Sequence, residues 1–215
     1  MYTEVMMKIL SESFSDGERM PSKFAFAKKD LSEGLCFARN VNPEIAWQDI
    51  PPATRSLVLI CKDRHVPVDL TQVNLAGVII PESALRRDFY HWVVADIQPG
   101  IKRIPEGSVS KCVTVGGKSS QHHNGFIEGL NDYTKVLGED QTMAGHYFGY
   151  DGPSPPLNDK KLHWYEFTLY ALSIPTLGLE GAFSADDVIP LLQRHCLDSA
   201  SIAASYSYSP EVELT

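Results

Sequence analysis

The sequence predicts a mainly β protein of sandwich type, and three observations carry that prediction. Short apolar runs alternate with period two, as strands with one buried face do. Gly- and Pro-containing turns separate those runs. Only one stretch, near the C-terminus, carries helix-start signals ahead of an apolar helical period.

In chain order, residues 1–55 mix short apolar pieces with turns at Asp16-Gly17, Met20-Pro21, Asn42-Pro43 and Pro51-Pro52. Residues 55–62, RSLVLICK, form the first clear strand, rich in Leu, Val and Ile. An apolar piece at 75–80 ends at Pro81, and residues 89–97, FYHWVVADI, make a second strand closed by Pro99-Gly100. From 100 to 148 the chain is polar and Gly-rich, and 116–125, with His122 and His123, reads as a loop. A rigid segment follows, Asp151-Gly152-Pro153-Ser154-Pro155-Pro156, and then the alternating run HWYEFTLYAL from His163.

The helix is expected near 185–196. Ser184 with Asp187 three residues on matches a capping box, but then Pro190 falls inside the helix and clashes with the carbonyl four residues back. Taking Asp187 as N-cap moves Pro190 into the first turn, so both starts stay open. Residues 201–207 alternate again and predict a last strand carrying Tyr206.

With 215 residues the chain is expected to be a single domain, 1–215. Hydrophobic content of 43% and charged content of 21% fit an ordinary soluble globular protein. A formal net charge of -8 without a long basic run argues against nucleic acid as a partner. No apolar run approaches the ~20 residues that span a bilayer. The N-terminal MYTEVMMKILSESF lacks a signal-peptide core and cleavage site, so no integral membrane association is expected. The four cysteines, Cys36, Cys61, Cys112 and Cys196, have no CxxC spacing. Reduced thiols and a cytoplasmic location are the expectation.

Three strands share one pattern. Leu57, Leu59, Cys61 and Asp63 fall on one face; so do His91, Val93, Ala95 and Ile97; so do His163, Tyr165, Phe167 and Leu169. Each apolar stripe ends in an ionisable residue aimed at the core. Such a group needs a hydrogen bond or a counter-charge, or simply reaches solvent at the strand end. Periodicity does not say whether the three ends meet.

GPSPP at residues 152–156 with His163-Trp164-Tyr165 resembles the phosphatidylethanolamine-binding protein family in its bacterial, Raf kinase inhibitor-like form. The likeness extends through residues 13–21, Asn42-Pro43, Ala46-Trp47, residues 56–67, His91 to Val94, and the C-terminal helix and strand. It implies two antiparallel sheets packed face to face, with a few short peripheral helices. It also implies a pocket in which Asp63, His91, His163 and Tyr165 bind a small anion such as phosphate, phosphorylethanolamine or a carboxylate. Gly152, Pro153, Ser154 and Pro155 would form its wall. A kinase- or protease-modulating partner and a homodimer are further implications.

Imidazoles and a phenol suit that chemistry as hydrogen-bond donors to oxyanions. Where the family carries Asp-Pro-Asp-Ala-Pro, this chain has Asp63-Arg64-His65-Val66-Pro67, so a less acidic and looser rim is expected. Gly129 to Tyr133 matches a further family piece, which confines the insertion to 134–148, read as a surface insertion or a distinct contact.

Two readings compete for the same residues. Two histidines and a carboxylate also compose a non-haem iron triad, and His65, His122, His123 and His146 are further imidazoles. Ser154 or Cys61 near His163 would give a hydrolase its nucleophile, but no GxSxG elbow is present. The expectation is a binding protein, not an enzyme, with no cofactor and no metal.

Overall fold

The computed structural model describes residues 6–30, 34–120 and 122–208, and of His122 only the backbone; residues 1–5 of the N-terminal segment weighed above lie outside the described residues. The strands are β1 (Lys8–Leu10), β2 (Ala27–Asp30), β3 (Gly34–Phe37), β4 (Ile45–Gln48), β5 (Ser56–Pro67), β6 (Arg86–Ile97), β7 (Arg103–Ile104), β8 (His122–His123), β9 (Phe126–Glu128), β10 (His163–Leu172) and β11 (Cys196–Tyr206). The α-helices are α1 (Tyr133–Val136) and α2 (Ala185–His195).

The strands make a six-stranded antiparallel sheet, β11-β10-β5-β6-β9-β8, a three-stranded sheet, β1-β4-β7, and a two-stranded ribbon, β2-β3. Strict alternation along β5 divides the large sheet between two cores. Leu57, Leu59 and Cys61 point inward with Phe167 and Leu169 of β10, against Ile9, Ile45, Trp47 and Ile104 of the smaller sheet. Val58 and Ile60 point outward with Leu172, beneath Val188 and Leu192 of α2. The fold is therefore a β-sandwich with one helix covering its larger sheet.

On β6 the expected stripe of His91, Val93, Ala95 and Ile97 does not form. Lys62 pairs with Tyr90 and the preceding Cys61 pairs with Trp92, which leaves His91 as an extra residue opposite β5. A bulge of this kind shifts the parity of everything beyond it. Trp92, Val94 and Ile97 join the inner core, while Val93 and Ala95 join the outer one. A second irregularity returns Ile97 inward, with Asp96 at φ 53 and its carboxylate accepting from Leu177 N (2.8 Å) and Thr176 Oγ1 (2.6 Å).

Ser184 is the N-cap of α2, with a capping box to Asp187, and Pro190 lies inside the helix. Pro190 removes one backbone hydrogen bond, and the burial of Ala185, Val188 and Leu192 offsets it. His122-His123, read above as loop, form the outermost strand of the large sheet. The 75–80 piece is turn rather than strand, and only Ile80 makes a bridge, to Asp159. Within 134–148, Tyr147 is fully buried; its amide donates to Thr134 Oγ1 (2.9 Å) and its hydroxyl to Met143 O (2.6 Å). That segment is thereby anchored in the inner core.

Candidate functional site

The end of β5 that pairs in regular register with β10, and the start of β10, deliver the floor of the site. Asp63 stands opposite Tyr165 in the strand register, so both point inward, and His163 follows on the same face of β10. All three are buried. His163 donates Nδ1–H to Asp63 Oδ2 (2.6 Å) and Nε2–H to Asp159 Oδ2 (3.2 Å). Carboxylates only accept, so both ring nitrogens carry protons and the ring is an imidazolium.

Burial alone would pull the His163 pKa down. The Asp63 charge and the hydrogen bonds to Asp159 and Asp63 overcome this and push it up to about 9. For Asp159, burial is likewise outweighed by hydrogen bonds from His163 and Arg86, which bring its pKa down to about 2. The Arg86 guanidinium grips both Asp159 oxygens, at 3.0 Å through Nη2 and more closely through Nη1, and donates to His65 O and Pro81 O (2.8 Å each). The group formed by Asp63, His163, Asp159 and Arg86 thus contains two negative and two positive charges.

His91 reaches the same place through its bulge. Its Nδ1–H donates to Asp151 O (2.8 Å), while the Asp151 amide donates to His91 O (3.1 Å). That pair fixes the ring plane and the tautomer, leaving Nε2 as the nitrogen with a lone pair. Phe89, Tyr133 and Tyr165 enclose the ring, with centroids 4.8, 5.7 and 5.0 Å away. Burial pulls its pKa down against the nearby Asp63 charge and the Asp151 hydrogen bond. His91 is therefore neutral at pH 7, and among the described residues its buried Nε2 has no hydrogen-bond partner.

A second buried network holds Asp151. Its carboxylate accepts from Asn40 Nδ2 (2.6 Å) and Asn131 Nδ2 (2.8 Å) and pairs with Lys118 Nζ at 3.0 Å. Gly152 donates its amide to Asn40 Oδ1 and accepts from the Tyr133 hydroxyl, both at 2.8 Å. A Cβ here would stand 1.9 Å from Phe24 O, so only glycine fits.

Asp63, His91, Ser154, Pro155, His163 and Tyr165 all line one cavity of about 100 Å³, together with Pro156, Phe89 and Tyr133. Leu70, Val73 and Val136 form an apolar mouth. Gly152 and Pro153, expected in the wall, lie behind it: Gly152 is tied as above, and Pro153 O accepts from the amides of Phe26 (2.9 Å) and Ala27 (3.3 Å). Asp159, Asp151 and Lys118 lie in loops, which carry no periodicity, and Arg86 stands at the first residue of β6 outside the apolar stripe, so none was singled out as a site residue from sequence. The GPSPP loop next to Asp151 was the nearest signal.

The rival chemistries find little support in this geometry. Both His163 nitrogens face carboxylates, so neither offers a lone pair to a metal. Ser154 Oγ accepts from the Tyr208 hydroxyl (3.3 Å) and has no histidine partner. Burial, followed by the Asp63 charge, pushes the Cys61 thiol well up, away from the reactive thiolate. The four cysteines are free, and among the described residues no helix is long and apolar enough to cross a membrane.

The model of the phosphatidylethanolamine-binding protein family matches residues 10–207. The chain belongs to this family. Relatives of this chain include the UPF0098 protein YbhB of Escherichia coli K12, 27% identical over 202 residues, covering 94% of this chain and 100% of YbhB. A UPF0098 protein of Aquifex aeolicus is 28% identical over 201 residues, covering 94% of this chain and 88% of its own. Two solved structures share the fold. Escherichia coli YbcL has a TM-score of 0.66 at 20% identity, covering 94% of this chain and 99% of its own. A homologue from Chlamydia trachomatis has a TM-score of 0.63 at 22% identity, covering 95% and 99%.

Across the Asp63-Arg64-His65-Val66-Pro67 departure β5 continues to Pro67, with a register shift against β6 between Asp63 and Val66. Arg64 points away from the cavity, to Glu166 at 2.9 Å. The His65 amide donates to Asp63 Oδ1 (2.7 Å), occupying the second oxygen of that carboxylate.

Proposed function

We propose that this protein binds a small oxyanion, of the phosphate, phosphorylethanolamine or carboxylate class, in the cavity between β6, β10 and the 152–156 loop. The observation that carries this reading is His91 Nε2, a buried polar atom at the wall of that cavity without a partner among the described residues. Buried polar atoms are nearly always satisfied, so a missing partner here points to a ligand. The Ser154 and Tyr165 hydroxyls stand on the same wall and supply further hydrogen bonds. Leu70, Val73 and Val136 at the mouth accommodate an apolar substituent on the bound group.

The test is a titration of the isotope-labelled protein with inorganic phosphate and with phosphorylethanolamine at pH 6, followed by NMR. Shifts are expected to concentrate at His91, Ser154 and Tyr165. His91→Ala, checked for folding by circular dichroism, is expected to weaken binding at least ~10-fold, equivalent to ~1.4 kcal/mol. Unchanged affinity in that variant would remove the site assignment.

A further inference from the structure

Resting on the oxyanion reading above, we infer that the cavity admits an oxyanion only together with one proton, shared between a ligand oxygen and His91 Nε2. The site thereby selects phosphomonoesters and phosphonates over sulfate and sulfonates.

Two features lead there. The first is direction. Nδ1 must donate to the Asp151 carbonyl, so the nitrogen facing the ligand is an acceptor unless the ring takes up a proton. A fully ionised oxygen has only lone pairs to offer it. An oxyacid that retains one O–H donates to Nε2 and accepts from Ser154 and Tyr165 with its other oxygens.

The second feature is charge. Around the cavity, Asp63 and Asp159 are balanced by His163 and Arg86, and Asp151 is balanced by Lys118. The remaining groups facing His91 are the Tyr133 and Tyr165 phenols, neutral at pH 7, and the more distant Asp132 carboxylate. Nothing in that set leaves a surplus positive charge for a buried dianion, and an uncompensated buried charge is costly. One proton reduces the dianion to a monoanion, or places a positive charge on His91 beside it.

A phosphomonoester, with a second pKa of about 6, still carries that proton in part at neutral pH. Sulfate does not, and His91 must then be protonated from solvent against the pull of burial.

The experiment is calorimetric titration of the wild-type chain with phosphorylethanolamine and with sulfate, from pH 6 to pH 8, in buffers of different ionisation enthalpy. Phosphorylethanolamine affinity is expected to fall about 10-fold per pH unit above roughly pH 7, as the free ligand loses its second proton. Uptake of close to one proton per ligand is expected at pH 8, and at pH 7 sulfate should bind at least ~10-fold more weakly, since the buried imidazole must be charged for it.

His91→Gln keeps a polar side chain but presents an amide donor to the ligand. It is expected to flatten the pH profile and bring the two ligands to similar affinity. Equal binding of both ligands by the wild-type protein, with no proton uptake, would overturn the proton requirement while leaving oxyanion binding intact. Failure of phosphorylethanolamine to bind the folded protein at pH 6 would instead remove the oxyanion reading and this inference with it.

Discussion

His163 and His91 sit on the two strands that flank β5, and both are buried beside the same cavity, yet they end in opposite chemical states. His163 is enclosed by two carboxylates, carries a charge, and has no nitrogen left for a ligand. His91 gives one nitrogen to a backbone carbonyl, is neutral, and keeps the other unpartnered. The difference arises from what each ring meets, not from burial, which is nearly equal for the two. A carboxylate partner converts a buried histidine into part of the scaffold, whereas a carbonyl partner orients it without using its base. This makes His163 a support for the floor and, on the oxyanion reading proposed above, His91 the group that would meet the ligand.

The largest expected effect tests the scaffold half. His163→Ala leaves Asp63 and Asp159 buried without the cation between them, and breaking a buried pair in this way costs about 3–5 kcal/mol. Urea denaturation is expected to show a loss of that order, with any loss of oxyanion affinity following from disruption of the floor. A fully stable His163→Ala that had lost binding would reverse the assignment and make His163 the ligand-contacting group.

Next in size is the pH dependence of stability. The folded pKa of His163, about 9, lies above its ordinary 6.5, so its contribution is complete below about pH 6.5 and is lost as pH rises through 9. At about 1.4 kcal/mol per pH unit, this amounts to on the order of 3 kcal/mol. Asp159 has the opposite sign: its contribution is present above 3.8 and is lost as pH falls toward about 2. Stability measured by denaturant at several pH values should therefore decline from about pH 6.5 toward pH 9 through His163, and also decline as pH falls below about 6.5, where the unfolded chain protonates His91 while burial keeps it neutral in the fold. A curve flat from pH 6 to 9 would show that His163 is not held as a cation. Between pH 6 and 8 the His163 charge is nearly constant, so changes in ligand affinity over that range report on the His91 side.

The two halves also differ in how far they could be read from the sequence. Alternation was sufficient to turn Asp63 toward the core on β5, and His163 with Tyr165 on β10, and the regular pairing of β5 with β10 then brings them onto one face. It failed for His91, whose bulge reverses the parity of Val93 to Ala95, since a bulge is decided by pairing with a distant strand rather than by local pattern. The sequence left Ser184 and Asp187 both open as the start of α2; the capping box forms at Ser184, and packing of Val188 and Leu192 accommodates Pro190 inside the helix. Arg86, Asp159 and Lys118 were passed over as ordinary surface or loop residues. Their role depends on segments far apart in the chain, as with Arg86 and Asp159, which lie 73 residues apart. The wall residues divided for a similar reason: Ser154 and Pro155 face the cavity, while Gly152 is held from behind by Asn40 and Tyr133.

The smallest expected effect separates the cavity from the opposite face of β5. Arg64 replaces a proline of the family pattern directly beside Asp63, which in sequence places it next to the site. Its guanidinium instead pairs with Glu166 on the outer face, where it is 57% exposed. Exposed pairs of this kind contribute about 0–1 kcal/mol and are screened by salt. Arg64→Ala is therefore expected to change stability by less than about 1 kcal/mol and to leave oxyanion affinity and its pH profile unchanged. A shift in the pH profile of binding would show that charge on the outer face reaches His91 through the sheet. The division between a closed, charge-balanced floor and one open imidazole would then need to include the strand between them.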